Sequence, residues 1–153
     1  MAGKMRNSGY ASVGAWAKRC YFAGRAAMED ALRPYDLGAT QWYVLYYLAH
    51  DGPTMQRELL RRLQVERATL SAIVGALVRK GLVEQVPDRI DQRQKLLRLT
   101  ASGMKLWEEL PDLDFINKAA FEGVNEADLA VAIMVLQTAT ERLDSLLRKE
   151  ADE

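Results

Sequence analysis

A mainly α-helical fold carrying one small β-hairpin is predicted by three features of the sequence. Apolar residues recur at three- and four-residue steps through most of the chain. Two short helical segments are separated by a break of only three residues, Gln64-Val65-Glu66. Directly after the second segment the pattern switches to period two over residues 82–100, around a polar and basic turn. At 153 residues the chain is long enough to bury a core, and a single domain over 1–153 is expected.

Each element can be justified in turn. Residues 12–33 form the first predicted helix, with Val13, Ala17, Cys20, Gly24, Ala27 and Ala31 on one stripe and Pro34 ending it. The small residues of that stripe permit close approach of another helix. Thr40 is expected to cap a second helix, Gln41–Ala49, which Asp51-Gly52-Pro53 stops. Met55–Leu63 is a third, with apolar residues at 55, 59 and 63 and Arg57, Arg61 and Arg62 on the other sides. A fourth, Arg67–Lys80, turns Leu70, Ile73 or Val74, and Leu77 inward, and Gly81 ends it. Leu82–Val86 and Lys95–Thr100 are the strands of the hairpin, Leu97 and Leu99 sharing one face. Thr100 caps a helix that Pro111 ends or kinks, and Asn125 caps a last helix to about Lys149. Its Leu129, Ile133, Leu136, Thr140, Leu143 and Leu147 step by four and three, close to a heptad seam.

Two short helices joined by a three-residue break and followed by a hairpin make a winged helix-turn-helix. That motif places one helix in a major groove of DNA, where each base pair presents its own donors and acceptors. With Leu70, Val74 and Leu77 inward, the outward positions of the fourth helix are Arg67, Ala68, Thr69, Ser71, Ala72 and Gly75. Arg67 can reach guanine, and the hydroxyls of Thr69 and Ser71 can reach base edges or phosphate. Ala68, Ala72 and Gly75 let the helix lie close. On the wing, Arg89, Arg93 and Lys95 cluster, with Asp88 and Asp91 near enough to orient an arginine. An arginine at a hairpin tip suits the narrow, negative minor groove of A·T-rich DNA.

Net charge conceals this arrangement. Twenty-one basic and 21 acidic residues cancel, yet residues 57–98 carry a net of +5, residues 99–153 a net of −7, and residues 1–56 a net of +2. A basic reading unit is set against an acidic tail, a polarity that favours one docking face. The longest apolar runs, Trp42–Ala49 and Leu129–Leu136, are too short to span a bilayer, and no membrane partner is expected. No signal sequence opens the chain, so a cytoplasmic location is expected. One cysteine and one histidine, Cys20 and His50, argue against a disulfide framework and against a zinc site. Neither a nucleophile motif beside His50 nor a phosphate-binding glycine loop is present, so no catalysis, metal or cofactor is expected.

The ordered set Glu58-Leu59, Leu63-x-Val65, Thr69-Leu70-Ser71, Val74, Leu77, Lys80-Gly81-Leu82-Val83, Asp88, Asp91-x-Arg93 and Leu97-x-Leu99-Thr100-x-x-Gly103 resembles the MarR (multiple antibiotic resistance regulator) family. Glu66 departs from the usual Ser, Thr or Asp entry to the reading helix. The resemblance covers about residues 12–148. It implies a winged lobe over 52–100 and N- and C-terminal dimerisation helices over 12–50 and 101–149. It also implies a homodimer, most often a repressor, on a pseudo-palindromic double-stranded operator. By the same analogy Arg93 enters the minor groove with Asp91 as its brace.

Many MarR-like regulators are released by small phenolic or aromatic carboxylate ligands. Trp16, Trp42, Tyr43 and Tyr46 are the aromatic candidates for such a pocket, with core packing as the competing reading. Arg19 or Lys18 can pair with a ligand carboxylate. Cys20 lies too far along its helix for the redox-sensing pattern of some relatives, and burial on the apolar stripe is the expectation for it. A winged-helix module that binds protein rather than DNA is the alternative, and salt dependence separates the two.

Overall fold

The computed structural model describes residues 9–151, with side chains from residue 12 onward. They form two compact units, divided between Leu113 and Asp114. The first contains α1 (Gly9–Leu32), a 3-10 turn (Arg33–Tyr35), α2 (Ala39–Asp51), β1 (Thr54–Met55), α3 (Gln56–Leu63), α4 (Arg67–Arg79), β2 (Val83–Pro87), β3 (Lys95–Leu99) and α5 (Ala101–Glu109). The second contains α6 (Asp114–Phe121) and α7 (Glu126–Ala151).

Helix α2 is the axle of the first unit. Val44, Leu45 and Leu48 are buried along it, and α1, α3, α4, α5 and β3 all pack against it. Its start differs from the sequence expectation. Gly38, not Thr40, holds the cap position, and Thr40 lies inside the helix, accepting a hydrogen bond from Arg25 Nη2 at 2.9 Å. A carboxylate from the neighbouring helix explains the shift. Glu29 Oε1 accepts the Ala39 N–H at 2.9 Å, and Gln41 Oε1 accepts the Gly38 N–H at 3.1 Å. Two orphan donors are satisfied without a local hydroxyl, so the helix begins earlier.

Met55 was expected to open the third helix, but it ends a two-residue strand. Thr54 pairs with Leu97 and Met55 with Leu96, giving a three-stranded antiparallel sheet in the order β1-β3-β2. Two residues are too few to show alternation, so only the partner strand reveals them. Gln64, at φ 53°, makes the left-handed turn between α3 and α4 and donates its N–H to Leu60 O at 3.1 Å. A single residue held there costs about 1 kcal/mol and redirects the chain within three residues.

Burial fixes the roll of α4. Leu70, Val74 and Leu77 are at most 1% exposed, whereas Ile73 is only half-buried, so Val74 is the inward residue of that pair. Each such side chain contributes roughly 1.5–3 kcal/mol. The wing strands run Val83–Pro87 and Lys95–Leu99, and Leu97 is wholly buried on the inner face.

The wing is tied to α5 at one tight point. Thr100 caps α5, its Oγ1 accepting the Gly103 N–H at 3.0 Å while donating to Gly81 O at 2.6 Å. Its N–H bonds Leu82 O at 3.1 Å. Gly103 lies flush against that same carbonyl: a Cβ there would stand 2.0 Å from Leu82 O and 3.2 Å from Leu99 Cδ2. This contact is the physical content of the Leu-Thr-x-x-Gly spacing. Pro111 follows the end of α5, and α6 is a separate helix.

In the second unit, Asn125 Oδ1 accepts the Ala127 N–H at 2.8 Å and so caps α7 as expected. No side chain of α6 or α7 is buried. Val131, Ile133, Met134, Val135, Leu136, Leu143, Leu146 and Leu147 are all exposed, although the heptad seam runs through them. Among the described residues, no helix is long and apolar enough to cross a membrane.

Gly103→Ala is expected to lower unfolding stability by about 3 kcal/mol, because the new methyl meets backbone that cannot swing aside. Denaturant unfolding of the variant measures this; a midpoint equal to the wild type's would contradict the close approach.

Candidate nucleic-acid interface

The inward stripe of α4 decides what its other face presents. Arg67, Ala68, Thr69, Ser71 and Ala72 are exposed together on one side, and Gly75 is half-buried beside the Arg79 side chain. The structure therefore gathers the predicted reading residues onto a single surface with small side chains between two hydroxyls. Glu66 holds the N-cap position of α4 with no side-chain capping bond. Its carboxylate is exposed and suits the positive end of the helix. It would also repel a phosphate placed there.

The wing tip is a built structure of seven residues, 88–94, between Pro87 and its partner Lys95. Asp88 Oδ2 accepts the Asp91 N–H at 3.1 Å. Asp88 N–H reaches Gln94 O at 3.0 Å, and Gln94 N–H reaches Asp91 O at 2.9 Å. Asp91 Oδ1 then accepts from both Arg93 N–H, at 3.1 Å, and Arg93 Nε, at 3.2 Å. Asp91 thus braces Arg93 through its base, and the end of the guanidinium stays free on a side chain 90% exposed. Arg89 is exposed and Lys95 half-buried.

Ion pairing sorts the basic residues of this region into two classes. Arg61 and Arg62 both bond Glu58, and Arg62 also bonds Asp51. Arg98 bonds Glu84 across the strands at 2.7 Å, and Lys80 bonds the Asp36 carbonyl and approaches its carboxylate. Among the described residues, Arg57, Arg67, Arg79, Arg89 and Lys95 form no ion pair. Composition alone showed a net positive segment; the pairing shows which cations can meet phosphate without first giving up an acid. Arg57 and Arg79 are additions to the sequence-predicted set. Their type was visible, but their freedom from partners was not.

Hydrogen bonds from Arg61 and then Arg62 lower the Glu58 carboxyl from its ordinary 4.5 to about 2. The Glu58 bond raises the Arg61 guanidinium, and bonds to Asp51 and then Glu58 raise that of Arg62.

The aromatic candidates fall into two places. Trp42, Tyr43 and Tyr46 lie together on α2, Trp42 stacked on Tyr46 at 5.3 Å and edge-on to Tyr43 at 5.1 Å. Trp107 of α5, which the sequence reading did not single out, sits 5.5 Å from Trp42 and 6.1 Å from Tyr46. His50 lies tilted against Tyr46 at 4.2 Å and accompanies this cluster. Trp16 is apart from it, 62% exposed on α1 with the Arg19 guanidinium 5.0 Å from its ring. An open cleft of about 390 Å³ lies between Glu29, Arg33, Asp36, Gln41 and Lys80, and none of the aromatic candidates lines it. Cys20 is exposed on α1, so burial within this chain does not account for it. Its stripe is turned outward at Val13 as well.

Residues 35–94 match the model of the MarR family. The HTH-type transcriptional repressor NicR of Pseudomonas putida is 30% identical over 125 residues, covering 81% of this chain and 78% of its own. An HTH-type transcriptional regulator of Bacillus subtilis, YwoH, is 36% identical over 82 residues, which are 54% of this chain and 59% of that relative's length. Among solved structures, Bordetella bronchiseptica BpsR, whose DNA binding is regulated by 6-hydroxynicotinic acid, superposes with a TM-score of 0.73 at 25% identity. That match covers 84% of this chain and 92% of BpsR.

Replacing Glu58 by Gln has an effect on stability whose pH dependence follows from the lowered carboxyl. The folded-state value lies below the unfolded one, so the carboxylate's contribution is complete above about pH 4.5 and is lost as pH falls toward 2. The stability difference between wild type and Glu58→Gln is expected to be constant from pH 5 to 8 and to shrink below 4.5. Denaturant midpoints across that range measure it, and a difference growing as pH falls would reverse the assignment.

Proposed function

The chain belongs to the MarR family, and from that premise we propose that it is a homodimeric transcriptional repressor that binds a pseudo-palindromic operator and releases it on binding a small aromatic acid. One observation carries the DNA-binding part: α4 presents an exposed face of hydroxyls and an unpaired arginine, and the wing that follows it presents an exposed arginine braced by Asp91. Arg67, Thr69 and Ser71, seated over Ala68, Ala72 and Gly75, read base edges in the major groove. Arg93, oriented by Asp91, enters the minor groove. Arg89, Lys95, Arg57 and Arg79 neutralise phosphates.

Dimerisation is supported by the surface left uncovered. Residues 129–136 of α7 are apolar on every side, and all but the half-buried Leu129 are exposed, together with Leu143, Leu146 and Leu147 beyond them. A helix apolar all round demands a cover, and a second copy supplies it symmetrically. Val13, Trp16, Tyr21 and Phe22 are likewise large apolar side chains left exposed on α1.

The effector reading is supported by the aromatic group on α2 and by its likeness to BpsR, which responds to a hydroxylated pyridine carboxylate. Trp42, Tyr43 and Tyr46 supply apolar faces with polar edges, and Trp16, exposed on α1 and apart from them, is a separate aromatic candidate. A cytoplasmic location accords with this role, since the partner is DNA.

Fluorescence anisotropy on duplex DNA selected in vitro by the protein tests the proposal. Affinity is expected to fall steeply between 50 and 200 mM salt, by about three orders of magnitude if six phosphates are contacted. Arg93→Ala should weaken binding at least tenfold without altering fold or dimer, and 6-hydroxynicotinic or a related aromatic acid should release wild-type protein. A flat salt response would sink the DNA-binding reading, and unchanged affinity in Arg93→Ala would sink the wing assignment. Separately, Leu143→Asp should shift sedimentation toward the monomer; an unaltered dimer would place the interface elsewhere.

A further inference from the structure

We propose that Ile90 is an apolar minor-groove contact, packing its hydrocarbon against the deoxyribose walls beside Arg93. The inference rests on the reading of the wing as a DNA contact and extends it to a residue of different chemistry. Ile90 is 96% exposed, the most exposed large apolar side chain among the described residues; the others range from 38% to 64%. Single exposed apolar residues are ordinary on protein surfaces. What distinguishes this one is its setting.

The other exposed large apolar side chains lie mostly on helices α1, α6 and α7, where two or more occur on the same element. Ile90 stands alone. Its sequence neighbours are Arg89, Asp91, Gln92 and Arg93, so no apolar patch surrounds it that a protein partner could cover. The loop that carries it is braced. The Asp88–Asp91, Asp88–Gln94 and Asp91–Arg93 hydrogen bonds close the tip on both sides of it. A β-branched side chain at the end of a braced tip loses little further freedom on docking. Two flanking arginines bring the tip to a negative groove, and the walls of that groove are the apolar edges of sugars. Isoleucine belongs to the set of side chains that minor-groove proteins place between or against nucleotides. Arginine supplies attraction at a distance, while Ile90 supplies contact that excludes water once the tip is inside.

The two contributions differ in salt dependence, and the test uses that difference. Wild type, Ile90→Ala, Ile90→Asn, Ile90→Leu and Arg89→Ala are titrated onto a duplex selected by wild type from a random library, from 50 to 200 mM salt. Because Ile90 is almost wholly in water, thermal unfolding should be the same for all its variants. Ile90→Ala and Ile90→Asn are expected to bind about tenfold more weakly with the slope of log K against log salt unchanged, and Ile90→Leu to stay near wild type. Arg89→Ala should reduce that slope by about one. Unchanged affinity in Ile90→Ala overturns the proposal. A slope reduced by about one in Ile90→Ala also overturns it, because the loss then belongs to a displaced arginine. Weakened self-association with unchanged affinity per dimer overturns it in favour of a protein contact. If wild type enriches no duplex at all, the DNA-binding reading fails first, and this inference falls with it.

Discussion

Burial of one stripe of α4 governs most of what this chain can do. Leu70, Val74 and Leu77 are sealed in the core of the first unit, and a helix turned even one residue about its axis would bury a different set. Holding that stripe inward leaves Arg67, Thr69 and Ser71 on the opposite side, with small residues between them. The requirement spreads outward. Helix α2 supplies the surface on which α4 rests, the left-handed Gln64 sets the angle at which α4 arrives, and the left-handed Gly81 turns the chain from the end of α4 toward β2. At the far end the flush contact of Gly103 on the Leu82 carbonyl ties α5 to the turn between α4 and β2. Helix α4 and the wing thus share one base, and the outward face of each is set by the same core.

Electrostatics in this protein works by allocation more than by total. Glu58 holds two arginines of α3, Glu84 holds Arg98, and Asp36 holds Lys80. These pairs are exposed, and each is worth little to stability. Their consequence is to leave only some cations ready for phosphate. Asp91 acts differently, because it engages Arg93 through Nε and the backbone while leaving the tip of the guanidinium outward. One acid consumes charge and the other aims it. Net charge near zero is therefore compatible with a face that binds a polyanion.

Much of this was legible from residue order. The period of the apolar residues located every helix longer than ten residues, and the change to period two located the wing. Thr100 and Asn125 announced their caps, because a hydroxyl or amide just before an apolar-periodic run has a local donor to accept. Thr40 did not act as a cap, because the helix begins before it: the Trp42 N–H it would have accepted bonds Gly38 O, while Glu29 from another helix holds the Ala39 N–H. The strand Thr54–Met55 was invisible for a related reason: its identity lies in its pairing with β3. In the candidate interface the residue types were apparent, including the small residues and the wing arginines. The pairing states of Arg61 and Arg62 were not, since side chains three or four positions apart on one helix face compete for the same glutamate. Trp107 joined the aromatic group of α2 only through the packing of α5 on α2.

The sequence by itself determined the class of the fold, the inward stripe of α4, the Asp-x-Arg of the wing and the polarised charge. Those features depend on periodicity and short-range hydrogen bonds, which act between residues close in the chain. Only the tertiary structure decided which cations are free, which carboxylate caps α2, which aromatic rings meet, and that Ile90 stands in water at the tip of a braced hairpin. These are outcomes of distance between residues far apart in sequence, and of competition among several partners for one group. Local pattern carries no record of such competition, and packing settles it.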